Sequence, residues 1–162
     1  MKPSSPPVER TRDQVMAARA AKRAEAAALG VDEQFVSDLV DRFYASIQND
    51  ELLGPIFAER ITSWPEHLER MKTFWRSILF NSGEFSGNPM LKHMVIPGIE
   101  ERHFAHWLTL FYATLRDLEG DPGATTLVAG RARAIADSLL TGIAIRRDGL
   151  VGSRAGQALP HV

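Results

Sequence analysis

Leu91-Lys92-His93-Met94-Val95-Ile96-Pro97 is a short helical stretch that a proline is about to break, and the chain beyond it decides the fold. From Phe104 onward, Trp107, Leu108, Phe111, Tyr112, Leu115 and Leu118 keep a regular three-and-four spacing, the signature of an amphipathic helix. Gly120-Asp121-Pro122-Gly123 interrupts the pattern, and a last helix is expected from about Ala124 to Arg146, with Leu127, Val128, Ile135, Leu139, Leu140 and Ile143 facing inward. Upstream, Asn81 to Pro89 reads as a loop whose final proline opens the short helix ending before Pro97-Gly98. Pro65 suits the first turn of a helix over Glu66 to Phe80, which carries Leu68, Met71, Phe74, Trp75, Ile78 and Leu79. Asn49-Asp50 and Gly54-Pro55 mark turns, and before them Asp32 caps a helix bearing Phe35, Val36, Leu39, Val40, Phe43, Tyr44 and Ile47 on one face. No stretch shows persistent period-two alternation, so the fold class is all-α, without repeats.

The ends differ from this core. Residues 1–30 form an N-terminal extension, partly disordered or helical, because Pro3, Pro6 and Pro7 oppose regular structure while Val15 to Leu29 is dominated by alanine and charge. The folded domain is expected over residues 31–147, and residues 148–162 read as a flexible C-terminal tail.

Composition narrows the classes further. With 19 Lys and Arg against 20 Asp and Glu, the net charge of -1 gives no general affinity for nucleic acid or an anionic membrane. The absence of cysteine excludes disulfides, thiolate metal sites and a cysteine nucleophile. No apolar run approaches the roughly 18 residues needed to span a bilayer. The N-terminus lacks the apolar core of a signal peptide, so a soluble cytoplasmic protein is expected.

Five histidines carry most of the chemical potential: His67, His93, His103, His106 and His161. His161 lies in the tail and takes no role. Glu100-x-x-His103 matches half of a carboxylate di-iron motif, but such sites need the motif twice with further glutamates, and a second copy is absent. His103 and His106, three apart, then read as a solvated helix edge. His93 is different, because it closes a short helix among Met94, Val95 and Ile96. A metal-bound imidazole there is sheltered from water, and its other ring nitrogen can donate to a carbonyl freed by the helix end. By spacing alone, Tyr44 and Trp107 fit core positions and Phe57 a packing position.

Taken together, Phe43-Tyr44, Leu53-Gly54-Pro55-Ile56-Phe57, Glu66-His67, Phe74-Trp75, Leu91-Lys92-His93 and Phe104-x-x-Trp107-Leu108-x-Leu110-Phe111 make the chain, from about Val31 to Ile145, resemble the truncated globins, specifically their third group. The chain also lacks the clean double glycine at helix ends that marks the first two groups. The resemblance implies a globin-like two-over-two helical sandwich around a b-type haem, with His93 as the proximal iron ligand. Tyr44 is then the distal hydrogen-bond donor and Trp107 a second donor. Phe57 stacks on the porphyrin, Met71 lines the distal pocket, and Phe74 and Trp75 pack beneath the haem edge. His67 becomes a gate between pocket and solvent, its orientation left open. Arg70 and Lys92 are candidates to accompany the haem propionates, each equally readable as a solvated helix charge. The extension 1–30 has no counterpart in the family pattern.

The function that the resemblance implies is that of a haem protein binding oxygen, nitric oxide, carbon monoxide or peroxide at a five-coordinate iron. Two donors at the distal side imply tight, slowly released oxygen, linked to nitric oxide dioxygenase or peroxidase-like chemistry, with a reductase supplied from outside the chain. The alternative is a non-haem helical interaction protein, its apolar faces filling an ordinary core and its alanine-rich extension meeting a partner.

Overall fold

Asp32 accepts the backbone N–H of Phe35 at 2.8 Å and so caps helix α2 (Glu33–Gln48), whose buried face is Val36, Leu39, Val40, Phe43, Tyr44 and Ile47. In the computed structural model, which describes residues 11–149 and 155–162, this helix is preceded by α1 (Arg12–Ala28). It is followed by α3 (Gly54–Arg60), α4 (Trp64–Phe80), α5 (Pro89–Met94), α6 (Glu101–Asp117) and α7 (Pro122–Asp148). No strand occurs among the described residues.

Two boundaries differ from those read in the sequence. Gly54-Pro55 opens α3 instead of ending in a turn, because proline is well placed in a helix's first turn. Glycine also suits the close approach there: a Cβ on Gly54 would lie 3.1 Å from the carbonyl oxygens of both Ile47 and Gln48, a tight contact at the end of α2. Helix α4 begins at Trp64, ahead of the predicted Glu66, with Ser63 as its cap and Pro65 in its first turn as expected.

The layers are set by which helices touch. Helix α2 packs against α4, α6 against α7, and α2 against α6, so one helix pair is laid over another, a two-over-two arrangement. Large residues on α6, among them Phe104, Leu108, Phe111 and Leu115, meet a face of α7 rich in small ones, Ala124, Val128, Ala132 and Ala136. That complementarity lets the two helices approach closely. The short α3 rests on α2 and the short α5 on α7, bringing both to the edges of the same interior space. No described helix is long and apolar enough to cross a membrane.

Both ends take part in the packing. Of the extension, residues 1–10 lie outside the described residues, while Arg12–Ala28 is the helix α1, started by a Thr11–Gln14 capping box and laid on α4. At the other end, residues 150–154 lie outside the described residues, but 155–162 are held against α6 and α7. Leu159 is only 2% exposed, the Tyr112 hydroxyl donates to the Pro160 carbonyl at 2.7 Å, and Arg133 donates to the carbonyls of Gln157 and Leu159. A buried leucine and three captured carbonyl contacts distinguish this segment from the frayed tail that its small residues suggested.

Replacing Leu159 with alanine removes a buried side chain next to α6 and should cost about 2–5 kcal/mol. A urea-unfolding midpoint for Leu159→Ala equal to that of the parent chain would show that residues 155–162 do not dock.

Candidate functional site

A cavity of 290 Å³ lies between the α2–α3–α4 side of the fold and the α5–α6–α7 side. Every residue singled out for a site in the sequence reaches its wall: Tyr44, Phe57, His67, Arg70, Met71, Trp75, Lys92, His93 and Trp107. They arrive from five helices, and most of the remaining wall is apolar, including Ile56, Phe74, Ile99, Phe104 and Leu139.

On one side stands His93, half-buried in the last turn of α5. Its Nδ1 lies 2.6 Å from the Pro89 carbonyl. A carbonyl can only accept, so Nδ1 carries the proton and Nε2 keeps a free lone pair. The carbonyl is one turn back on the same helix, not one released at the helix end as the sequence suggested. Burial lowers the His93 pKa, and the bond to Pro89 opposes that shift only in part, so the ring is neutral at pH 7. A neutral imidazole with a fixed tautomer and an exposed lone pair is what a metal ligand requires. Phe104 lies alongside at 6.1 Å between ring centroids.

Across the cavity, Tyr44 is buried to 4% exposure among rings: Phe43 at 5.0 Å, His67 at 4.9 Å and Phe57 at 6.0 Å. Burial pushes its phenol pKa well up, so the hydroxyl keeps its proton and acts as a donor. Trp107 is clamped by stacking on Phe111 at 5.2 Å and by the edge of Phe43 at 5.2 Å. Neither the Tyr44 hydroxyl nor the Trp107 indole N–H bonds to any described group, and both side chains border the cavity.

His67 points inward. Its ring meets Tyr44 edge-on and Trp64 edge-on at 5.6 Å, and its Nε2 is buried without a hydrogen-bond partner. Burial first, and then the positive charges of Arg70 and Lys92, hold its pKa down at about 4, so the ring is neutral. Both cations are exposed at the cavity's edge, and Arg70 also lies 5.5 Å from the Phe85 ring centroid.

Four features escaped the sequence reading. Arg60, one turn beyond Phe57 on α3, adds a third cation to the wall. The turn assigned at Gly54-Pro55 hid that helical spacing. Trp64, which shields His67, opens α4 ahead of the predicted helix start. His103 is not on a solvated edge: it is 6% exposed, lines the cavity, and accepts the Glu100 N–H at Nδ1 (3.0 Å), leaving Nε2–H as a donor. The Glu100-x-x-His103 spacing is thus a helix-start contact, not half of a metal motif. His106 is half-buried, its Nε2 2.7 Å from Asp50 Oδ1. Among the described residues no cluster of three or more carboxylate and histidine groups could hold a metal ion, which disposes of a di-iron centre there.

Comparison with known proteins points one way. No protein-family model matches the chain. It is 32% identical over 89 residues to the group 3 truncated hemoglobin ctb of Campylobacter jejuni, covering 52% of this chain and 70% of that protein. Its fold is similar to the crystal structure of group III truncated hemoglobin from the same organism, with a TM-score of 0.65 and 29% identity over 69% of this chain and 91% of the other.

The depressed His67 pKa has a signed consequence. Between its ordinary value near 6.5 and about 4, the unfolded chain binds a proton that the folded chain does not. Stability contributed by the neutral ring is therefore complete above that window and lost as pH falls through it. In the ligand-free chain, His67→Leu should flatten the fall in urea midpoint across this range; an unchanged slope would place His67 outside the cavity in solution.

Proposed function

Because this chain belongs to the group 3 truncated haemoglobins, we propose that its cavity holds a haem, of the b type, and that the protein binds oxygen and other small diatomic ligands there. The observation that carries this reading is a neutral His93 whose Nδ1 is tied to Pro89, leaving Nε2 as a free donor of electrons on one face of an aromatic cavity. The other residues fit the group as well. Flat apolar walls suit a macrocycle, with Phe57 and Trp75 on its faces and edges. Arg60, Arg70 and Lys92 suit its two carboxylates.

A haem held there, with His93 as its protein ligand, would supply an iron able to bind a diatomic gas. The chain's part is to position that ligand. Tyr44 and Trp107 each present a donor with no competing protein acceptor, and His67, held neutral, adds no charge to the pocket. A ligand that draws negative charge on binding, as oxygen does, receives charge-assisted hydrogen bonds worth about 1.5–3 kcal/mol each. Carbon monoxide gains less charge and is held less by the same groups. Such retention suits reaction of bound oxygen with nitric oxide, giving nitrate, better than bulk oxygen transport. Peroxide would instead be bound itself, with the same polar groups assisting O–O cleavage, and either reaction calls for an electron donor outside this chain.

Two measurements test the reading. The purified chain should show a Soret band that shifts on adding carbon monoxide to the ferrous form, and His93→Ala should lose or strongly alter it. A chain that takes up no hemin is instead a helical interaction protein. With haem bound, Tyr44→Phe should release oxygen about ten- to a hundredfold faster, since roughly 1.4 kcal/mol is tenfold. Unchanged release removes Tyr44 from the role.

A further inference from the structure

Asp50 and His106 are 56 residues apart in sequence, yet His106 Nε2 lies 2.7 Å from Asp50 Oδ1. The carboxylate is only 14% exposed. Its second oxygen accepts the N–H groups of Leu52 and Leu53 at 3.1 and 2.9 Å, and the Asp50 carbonyl accepts the Gly54 N–H at 2.9 Å. One residue thus holds the start of α3 and ties it across the fold to α6. From there the ties run into the cavity wall on both sides. Leu53 borders the cavity, and its carbonyl accepts the Phe57 N–H at 3.1 Å; Trp107 is the next residue after His106 on α6.

We propose that the Asp50–His106 pair is the positioning clamp of the ligand site, setting the gap between α3 and α6 and with it where the Trp107 indole N–H stands relative to Tyr44 and Phe57. Neither Asp50 nor His106 borders the cavity, so both act through their neighbours. An exposed ion pair held by a single contact contributes little. This one differs in its bonding: the His106 side chain is 36% exposed, but the Asp50 carboxylate is largely buried and accepts three hydrogen bonds at once. Burial alone would raise the Asp50 pKa, but the hydrogen bond and charge of His106 and the N–H groups of Leu53 and Leu52 outweigh it, and the net shift is downward. The carboxylate is stabilised by the geometry that it enforces.

The optical test rests on the haem reading, and a second measurement does not. In the haem-loaded, carbon monoxide-bound protein, the C–O stretching frequency reports donors facing the ligand. His106→Phe should shift it in the same direction as Trp107→Phe and speed oxygen release severalfold, while His106→Gln, which keeps an N–H donor of similar reach, should restore both. If the phenylalanine variant fails to fold, His106→Asn, too short to reach Asp50, gives the same readout. Without haem, fluorine NMR of fluorotryptophan-labelled chain tracks the Trp107 resonance, assigned by Trp107→Phe. It should move in His106→Phe and return in His106→Gln. A lower melting temperature with an unmoved C–O stretch and an unmoved Trp107 resonance overturns the clamp and leaves a purely structural tie. A chain that binds no haem overturns the haem reading, and the NMR result then decides the clamp by itself.

Discussion

Trp107 stacks on Phe111, and Phe111 stacks on Trp75 at 5.1 Å with an interplanar angle of 26°. Phe43 stands edge-on to both Phe111 and Trp107, at 5.1 and 5.2 Å. This aromatic cluster joins α2, α4 and α6 at the wall of the cavity, and the rest of the arrangement depends on it. Rings have few rotatable bonds, and their charged faces and edges allow few good packings, so the cluster fixes both the spacing of the three helices and the aim of Trp107. A cavity of 290 Å³ costs stability, and the cost stays in full where the lining cannot collapse to close it. Aromatic walls resist that collapse better than flexible aliphatic ones.

Three polar groups around the cavity have no partner among the described residues: His67 Nε2, which is buried, and the donors of Tyr44 and Trp107. Leaving a buried donor or acceptor unsatisfied costs about 1–3 kcal/mol, and folded proteins leave few such groups. The three gather in one place, opposite a histidine with a free lone pair, and that is what supports the proposed ligand site. The two-over-two layering supplies the frame, α3 and α5 close its edges, and the short α5 carries His93 in its last turn.

Much of this was legible in the residues. The helix faces of α2, α4 and α6 obey the three-and-four spacing, and the cap at Asp32 sits where it was expected. The nine site residues singled out by their resemblance to a family pattern all reach one cavity. The features hidden in the sequence were hidden for physical reasons. Gly54-Pro55 serves turns and helix starts alike, and only the carbonyls of Ile47 and Gln48 behind Gly54 decide between them. His103 and His106 look alike at a spacing of three, yet one is turned into the cavity and the other to Asp50, a distinction made by partners distant in the chain. The tail was misleading because Leu159, a single buried leucine, outweighs the small residues around it.

A haem seated between His93 and the Tyr44–Trp107 wall is the central claim. Trp75 and Trp107 border the cavity and Trp64 packs on His67, so all three tryptophans lie within range of any haem bound there. Titrating the haem-free chain with hemin while monitoring tryptophan fluorescence and the Soret band tests that claim most directly. Quenching of nearly all the emission, with a sharp break at one equivalent that coincides with the Soret rise, is the predicted result. Emission that declines without saturation, with no Soret band beyond that of free hemin, would contradict it.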